Sequence, residues 1–404
     1  MAHAIVTGGG IVGLNVALAL QSKGFEVTLI DPEVVRSGAS YGNAGHIAIE
    51  QVEPLASMAM VRSAWRRLYP KGALGLPVRA VGQWLPFSLR LLKAARPEPF
   101  ARGKAALSAL IAQAMPAWQR RVTDIAAPDL LKQDGHYVVW ETKASATAGL
   151  KSWQSTDIGD ARFHVATEDE LASLKRITTA DIAGAIRFEN TGQIAEPARL
   201  LATMEATFAE RGGTVLHERV ARVSDGAVVL SGGETLIADA VVVSAGVRSK
   251  GLLEPLGARM PIVAERGYHI QSSSHGWPDG LPPVVFEDRS MIVTGFEGGL
   301  RAASFVEFAG VDDPPDAGKW SRLRQHVTAL GLPFGPADQV AQWIGARPTF
   351  PDYLPAIGRL KDKVYYAFGH QHLGLTLGPV TGEIVADMVS GGEAPVAFSL
   401  ERFQ

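Results

Sequence analysis

The sequence predicts a two-domain α/β protein, one domain built on a parallel sheet and the other on a mainly antiparallel one. Three stretches carry that prediction. The apolar run Ala4-Ile5-Val6-Thr7 enters a glycine-rich turn and passes at once into an apolar helical pattern. The mostly β-branched run Ala240-Val241-Val242-Val243 is the mark of a parallel strand buried on both faces. Between residues 260 and 310, alternating segments such as Gly267-Tyr268-His269-Ile270 and Met291-Ile292-Val293-Thr294 read as antiparallel strands.

The first of these is the most informative. Gly8-x-Gly10-x-x-Gly13 lies between the first strand and a helix through Leu20, and a second strand, Phe25 to Ile30, ends on Asp31. In that context Gly8 permits the tight turn, Gly10 lets backbone N–H groups approach a pyrophosphate, and Gly13 lets helix and strand pack closely. The helix N-terminus supplies partial positive charge and donors for the phosphates. Asp31 accepts hydrogen bonds from the ribose hydroxyls. The unit is a Rossmann-like dinucleotide site.

The small residues from Gly38 to Gly45 suggest backbone packed on a flat ligand, with Ser40 and Asn43 as donors; a surface loop is the other reading. From Arg62 to Lys104 the basic residues Arg62, Arg66, Arg67, Lys71, Arg79, Arg90, Lys93, Arg96, Arg102 and Lys104 are set against Glu98 alone, with Trp65, Leu68, Trp84, Leu85 and Leu89 among them. Such a stretch lies on an anionic membrane surface or forms domain helices with a solvated basic face. A helix from about Ala101 is interrupted by Pro116, and Gly135 to Trp140 reads as a strand. Thr167-Glu168-Asp169-Glu170 fits a capping box, Gly184 to Glu189 another strand, and Glu196-Pro197 a helix start that runs to Gly212-Gly213. Strands at Thr214–His217 and Val220–Val223 and a helix around Lys319–Leu330 precede a last strand, turn and helix from Trp343.

Bulk properties narrow the chemistry. With 404 residues, 47% hydrophobic and a net charge of −2, the chain reads as a soluble protein without a bias toward nucleic acid. It has no cysteine, which removes disulfides, thiolate catalysis, cysteine-ligated zinc, iron–sulfur clusters and cysteinyl flavin. No signal-type segment precedes the first strand and no apolar run has the length of a span, so the expected location is cytoplasmic.

Two C-terminal stretches add to the N-terminal fingerprint and to Ser244-Ala245-Gly246. They are Gly345-Ala346-Arg347-Pro348-Thr349-Phe350-Pro351-Asp352-Tyr353-Leu354-Pro355-Ala356-Ile357-Gly358 and the run from Tyr365 to Pro379. Together these resemble the FAD-dependent D-amino-acid oxidase superfamily. Gly38-Ala39-Ser40-Tyr41-Gly42-Asn43-Ala44-Gly45 and Glu265-Arg266-Gly267-Tyr268 make the bacterial D-amino-acid dehydrogenases the most similar branch.

The resemblance implies noncovalent FAD. It would be held by Gly8, Gly10, Ile11, Val12, Gly13, Asp31 and Arg36, then by Ser40, Asn43, Ala44 and Gly45 along the isoalloxazine. Val220, Ala245, Gly246, Gly369, His372, Leu373, Gly374, Leu375 and Thr376 complete the set. The helix opening at Gly374-Leu375-Thr376 would stabilise negative charge on the N1/C2=O edge of the reduced flavin. Arg347 would pair with a substrate carboxylate through its planar fork. Tyr268 and Tyr353 are partners for that carboxylate, a lid, or core aromatics; His269 and His46 are further catalytic candidates. His370-x-His372 lacks a carboxylate or third ligand, so no metal is expected.

The implied domains are a discontinuous FAD domain (1–50, 192–255 and 340–404) and a substrate domain (51–191 and 256–339), with the helices in 54–125 open between them. The implied reaction oxidises a D-amino acid to its imino acid and then the 2-oxo acid, with hydride passing from the α-carbon to flavin N5. A quinone-type acceptor and peripheral contact with the inner face of the cell membrane through 62–104 go with it. A cyclic D-imino acid, a glycine or sarcosine type of substrate, and a non-catalytic FAD subunit are the alternatives.

Overall fold

The structure, a computed structural model, describes residues 1–33 and 38–404. Its first sheet has six strands, in the order Thr214–Leu216, Glu26–Ile30, His3–Thr7, Ala240–Val243, Val364–Phe368 and Ala356–Lys361. The first five run parallel and the last is antiparallel. His3–Thr7 is therefore central. Ala4 and Val6 pack into the helical layer on one face, while Ile5 packs with Val223, Val228 and Leu230 of a small meander on the other. Burial on both faces is why these strands are apolar at successive positions rather than alternating.

Helices Ile11–Ser22, Pro197–Glu210 and Gly374–Val389 share the core on one face of this sheet. Ile11–Ser22 crosses the C-terminal helix Gly374–Val389 so closely that a Cβ on Gly382 would stand 2.5 Å from the Asn15 carbonyl oxygen. Pro379 has no N–H to offer the Leu375 carbonyl four residues earlier. Trp118 Nε1 donates to that carbonyl instead, at 3.0 Å, which ties the first turn of the C-terminal helix to Ala114–Asp124. Pro116 falls in the first turn of that latter helix, where a missing N–H costs nothing. The expected interruption is thus a boundary between Pro97–Ile111 and Ala114–Asp124.

The second sheet has nine strands. Val340–Thr349 forms one edge, followed by Val263–Ser272, Gly299–Ala309, Met291–Phe296, Val284–Phe286, His136–Trp140, Gly184–Phe188 and Phe163–Val165, while Leu74–Gly75 pairs alongside Gly299–Ala309. It is mostly antiparallel, as the alternation at 260–310 predicts. A three-stranded sheet, His46–Ile47 with Gly192–Ile194 and Leu131–Lys132, connects the two bodies.

Residues 340–349 depart from the sequence expectation. They pair along their whole length with Val263–Ser272 rather than joining the first sheet, which the chain re-enters at Ala356. A strand's period is written in its own residues but its partner is not. The helices in 54–125 divide as well. Val81–Ala94 packs Phe87 against Phe308 of the large sheet, whereas Pro97–Ile111 and Ala114–Asp124 share a core with the C-terminal helix. Val81, Leu85, Leu89 and Leu92 lie on the exposed side of their helix, and Trp65, Leu68 and Val78 are exposed as well.

Candidate active site

One cavity of about 1180 Å³ runs between the two sheets. Its first wall is the glycine turn. Gly8 has φ +103°, and a Cβ there would lie 2.5 Å from the Ser244 carbonyl oxygen. On Gly13 a Cβ would lie 1.8 Å from the Gly8 carbonyl oxygen, so the helix reaches this depth only without a side chain. Gly10 is the N-cap of Ile11–Ser22 and has no side chain to cap it; Ser40 Oγ takes the Ile11 N–H, and the helix dipole still presents its positive end to an anion. Ile11, Val12, Asp31, Val220, Ala245 and Gly246 line the same wall. The Asp31 carboxylate accepts from the Glu33 N–H at 2.9 Å and from the Gly9 N–H, which aims it across the turn.

The segment 38–45 forms the next wall and is held from behind by the large sheet. Ser40 Oγ accepts from Ile11 N–H at 3.0 Å, and Asn43 Oδ1 accepts from Gly45 N–H at 2.7 Å. Arg301 donates to the Tyr41 and Asn43 carbonyls, His269 Nδ1 donates to the Gly42 carbonyl at 3.1 Å, and Thr294 Oγ1 donates to the Ala44 carbonyl. A Cβ on Gly42 would lie 2.2 Å from the Trp343 ring, and one on Gly45 would lie 2.6 Å from Phe296. The small residues are required by aromatic rings behind the loop. Arg301 and Thr294 carry no sequence signal for this role, because only the pairing of distant strands brings them here. Arg36 lies outside the described residues.

At the far end the chain turns at Gly369 (φ +81°) into the C-terminal helix. Gly369, His372, Gly374 and Leu375 line the cavity. Leu373 is in the core, and Thr376 Oγ1 accepts from Ala48 N–H at 3.0 Å. His372 Nε2 meets Gln51 Oε1 at 2.5 Å, and burial holds this imidazole down at about 4. His370 pairs with Thr381 and is lowered to about 3 by burial. The two histidines point to different partners.

Arg347 occupies the facing wall. Its strand register sets it opposite Glu265, whose Oε1 accepts from Arg347 Nη1 at 3.0 Å. Thr349 and Tyr353 hydroxyls donate to the other Glu265 oxygen, each at 3.2 Å. Burial, and then the Glu265 charge, push the Tyr353 hydroxyl well above its ordinary range, so it stays protonated. The guanidinium lies over Gly267, where a Cβ would come within 2.3 Å of Nη2. Glu265 carries no sequence signal for this role; the strand pairing places it.

Alternation on Val263–Ser272 puts Glu265, Gly267 and His269 on this face and Arg266 and Tyr268 on the other. The Tyr268 hydroxyl donates to Glu307 at 2.6 Å within a buried group that includes Arg266 and Lys319. Its ring packs on Trp320 and Phe305. His269 stacks on Trp343 at 4.7 Å, and burial, aided by Arg301, lowers it to about 3. His46 lines the cavity with its Nε2 2.9 Å from Glu50 Oε1 and its ring edge-on to His136. The structure thus brings Arg347, His46, Tyr268 and most of the residues expected to hold the cofactor to one cavity, with the Tyr268 hydroxyl turned to Glu307, and ties Tyr353 and His269 into its supporting layers.

The cradle at Gly8 and Gly13, the helix end and the acid at Asp31 fit the diphosphate and ribose of FAD. A family model described as FAD-dependent oxidoreductase (DAO) matches residues 3–388. A D-amino-acid oxidase of Bradyrhizobium diazoefficiens is 30% identical, with 99% of each chain covered. D-amino acid dehydrogenase 2 of Pseudomonas aeruginosa is 28% identical over 95% of this chain and 94% of that one. The solved glycine oxidase of Geobacillus kaustophilus superposes with a TM-score of 0.71 at 20% identity, covering 99% of each chain.

Proposed function

The chain belongs to the FAD-dependent oxidoreductase family, and from that premise we propose that it oxidises a D-amino acid, with Arg347 holding the substrate carboxylate. The observation that carries this reading is the setting of Arg347. Glu265 takes Nη1, Gly267 leaves room beneath the guanidinium, and the group borders the cavity that contains the glycine turn. A cation fixed in this way is pre-organised for a carboxylate and loses little side-chain freedom on binding. The relatives named for D-amino acids support the substrate class.

FAD held noncovalently by the Gly8–Gly13 turn, Asp31 and the 38–45 loop would supply the electron sink for the substrate's α-hydrogen. The chain's own part is orientation and electrostatics. Arg347 fixes one end of the substrate. The uncapped N-terminus of Gly374–Val389 offers positive potential at the far end of the cavity. The 38–45 backbone, pinned by Arg301, His269 and Thr294, forms a rigid floor.

The electrons pass to a quinone-type acceptor at an anionic membrane surface. What favours this is the exposed face of residues 62–104. There Trp65 is 67% and Leu89 61% exposed, and the surrounding charge is almost wholly basic. No helix among the described residues is long and apolar enough to cross a membrane, so the contact is peripheral. The decisive experiment is an anaerobic screen of D- and L-amino acids, cyclic D-imino acids, glycine and sarcosine for bleaching of the bound flavin. Bleaching by D-amino acids is expected; bleaching confined to L-isomers or to glycine types overturns the substrate reading. Rapid stoichiometric peroxide formation in air overturns the acceptor.

A further inference from the structure

We propose that His46, Glu50 and His136 form a binding site for a divalent transition metal, with zinc as the best fit, at the border of the cofactor cavity. One potential ligand atom from each residue lies within 4.8 Å of the other two. Two imidazoles and a carboxylate suit zinc and its first-row neighbours. Sequence inspection looks for ligands at His370 and His372 and finds no third; the structural cluster spans positions 46, 50 and 136, which no local motif links.

Three further features are those of a prepared site. His136 Nδ1 is 2.8 Å from Thr191 Oγ1, and both residues are buried. A proton held on Nδ1 by that hydroxyl leaves the Nε2 lone pair for a metal, the arrangement that outer partners impose on ligating histidines. Glu50 is only 3% exposed, and its Oε2 is buried without a hydrogen-bond partner. An unmatched carboxylate oxygen in such a place is costly, and a cation would match it. All three residues line the main cavity, which provides an entry path.

The geometry needs little adjustment. Zinc bonds of about 2.0–2.1 Å set tetrahedral ligand atoms roughly 3.3 Å apart. His46 Nε2 and Glu50 Oε1 are already 2.9 Å apart. Contraction of the remaining separations on the order of 1 Å is within reach of side-chain rotation. The fourth position would face the cavity and hold water. The inference is independent of which amino acid the enzyme oxidises.

The test uses FAD-replete protein stripped with a chelator and then dialysed against Zn²⁺ or Co²⁺. One equivalent per chain is expected, with visible d–d absorption for Co²⁺ that Zn²⁺ displaces. Glu50→Gln and His136→Gln should lose the bound metal while retaining FAD. Thr191→Val should weaken affinity about 10- to 100-fold, a change that loss of a mere packing contact would not produce. Substoichiometric binding by the wild type, or equal binding by FAD-replete Glu50→Gln and His136→Gln, overturns the proposal and leaves His46 and Glu50 as a structural hydrogen-bonded pair. If those variants lose FAD, Co²⁺ titration of the wild type alone decides by its stoichiometry and spectrum.

Discussion

The wall of the cavity that takes the dinucleotide is made mostly of backbone, whereas the wall opposite is made of side chains tied to one another. On the first, Gly8, Gly10 and Gly13 act through what they lack, and two helix ends act through their peptide dipoles. On the second, Arg347 depends on Glu265, Glu265 on Tyr353 and Thr349, and the 38–45 loop on Arg301 and His269. A backbone site is contiguous and tolerates change only where no Cβ intrudes. A side-chain site is dispersed and fails when one charged partner is removed.

The largest effect should come from the side-chain wall. Removing one member of a buried charge pair costs about 2–5 kcal/mol, so Arg347→Ala should lower kcat/KM roughly 30-fold to several-thousand-fold. Arg347→Lys should recover part of that, since a point charge does not reproduce the fork. FAD content should hardly change. Steady-state comparison of a D-amino acid with its amide is the check. Equal losses on both, or loss of FAD, would assign Arg347 a structural role and sink the division between the walls.

The backbone wall is broken by adding a methyl group. Gly13→Ala sets a Cβ 1.8 Å from the Gly8 carbonyl oxygen on the present backbone, and relief by backbone shifts costs about 1–3 kcal/mol. The expected outcome is weakened FAD binding and a lower Tm, with the KM of any remaining holoenzyme unchanged. Flavin content after gel filtration reads it directly.

Both walls share a pH liability. His269 and His370 stay neutral in the fold, each lowered to about 3 from an ordinary 6.5, chiefly by burial. The unfolded chain therefore binds more protons between those values. The contribution to stability is complete above about pH 6.5 and declines as pH falls toward 3, by at most about 1.4 kcal/mol per pH unit for each histidine. Thermal unfolding at pH 7 and pH 5 should show the drop, and His269→Gln should flatten it. A Tm that is constant across this range in the wild type contradicts the assignment.

The last effect lies outside both walls and falls on membrane binding, with the least consequence for the site itself. Arg66→Gln, Arg67→Gln and Arg90→Gln together should weaken binding to anionic vesicles, at about 1 kcal/mol per basic residue near the surface. Higher salt should weaken it too. Leu85→Gln with Leu89→Gln should do so without salt sensitivity, since those side chains present apolar area. Sedimentation with vesicles reports it, and anaerobic flavin bleaching should be untouched. No binding at low salt removes the membrane reading.

Much of the fold was legible in the chain itself. The Gly8–Asp31 unit, the 240–243 strand, the Thr167–Glu170 capping box (present as read) and the helix opening at Gly374 are each signalled within one short segment. Local sterics, strand period and capping act over a few residues, so their rules can be applied without knowing the partner. Tertiary structure alone decided the rest. The chain's own residues put a strand from about Trp343 but do not say that it lies beside 263–272, and on that register depends the pairing of Arg347 with Glu265. The same holds for Arg301 beneath residues 41–43 and for His136 beside His46 and Glu50. Periodicity states which face a side chain takes, whereas its neighbour across a sheet or cavity follows from how distant apolar faces are buried together.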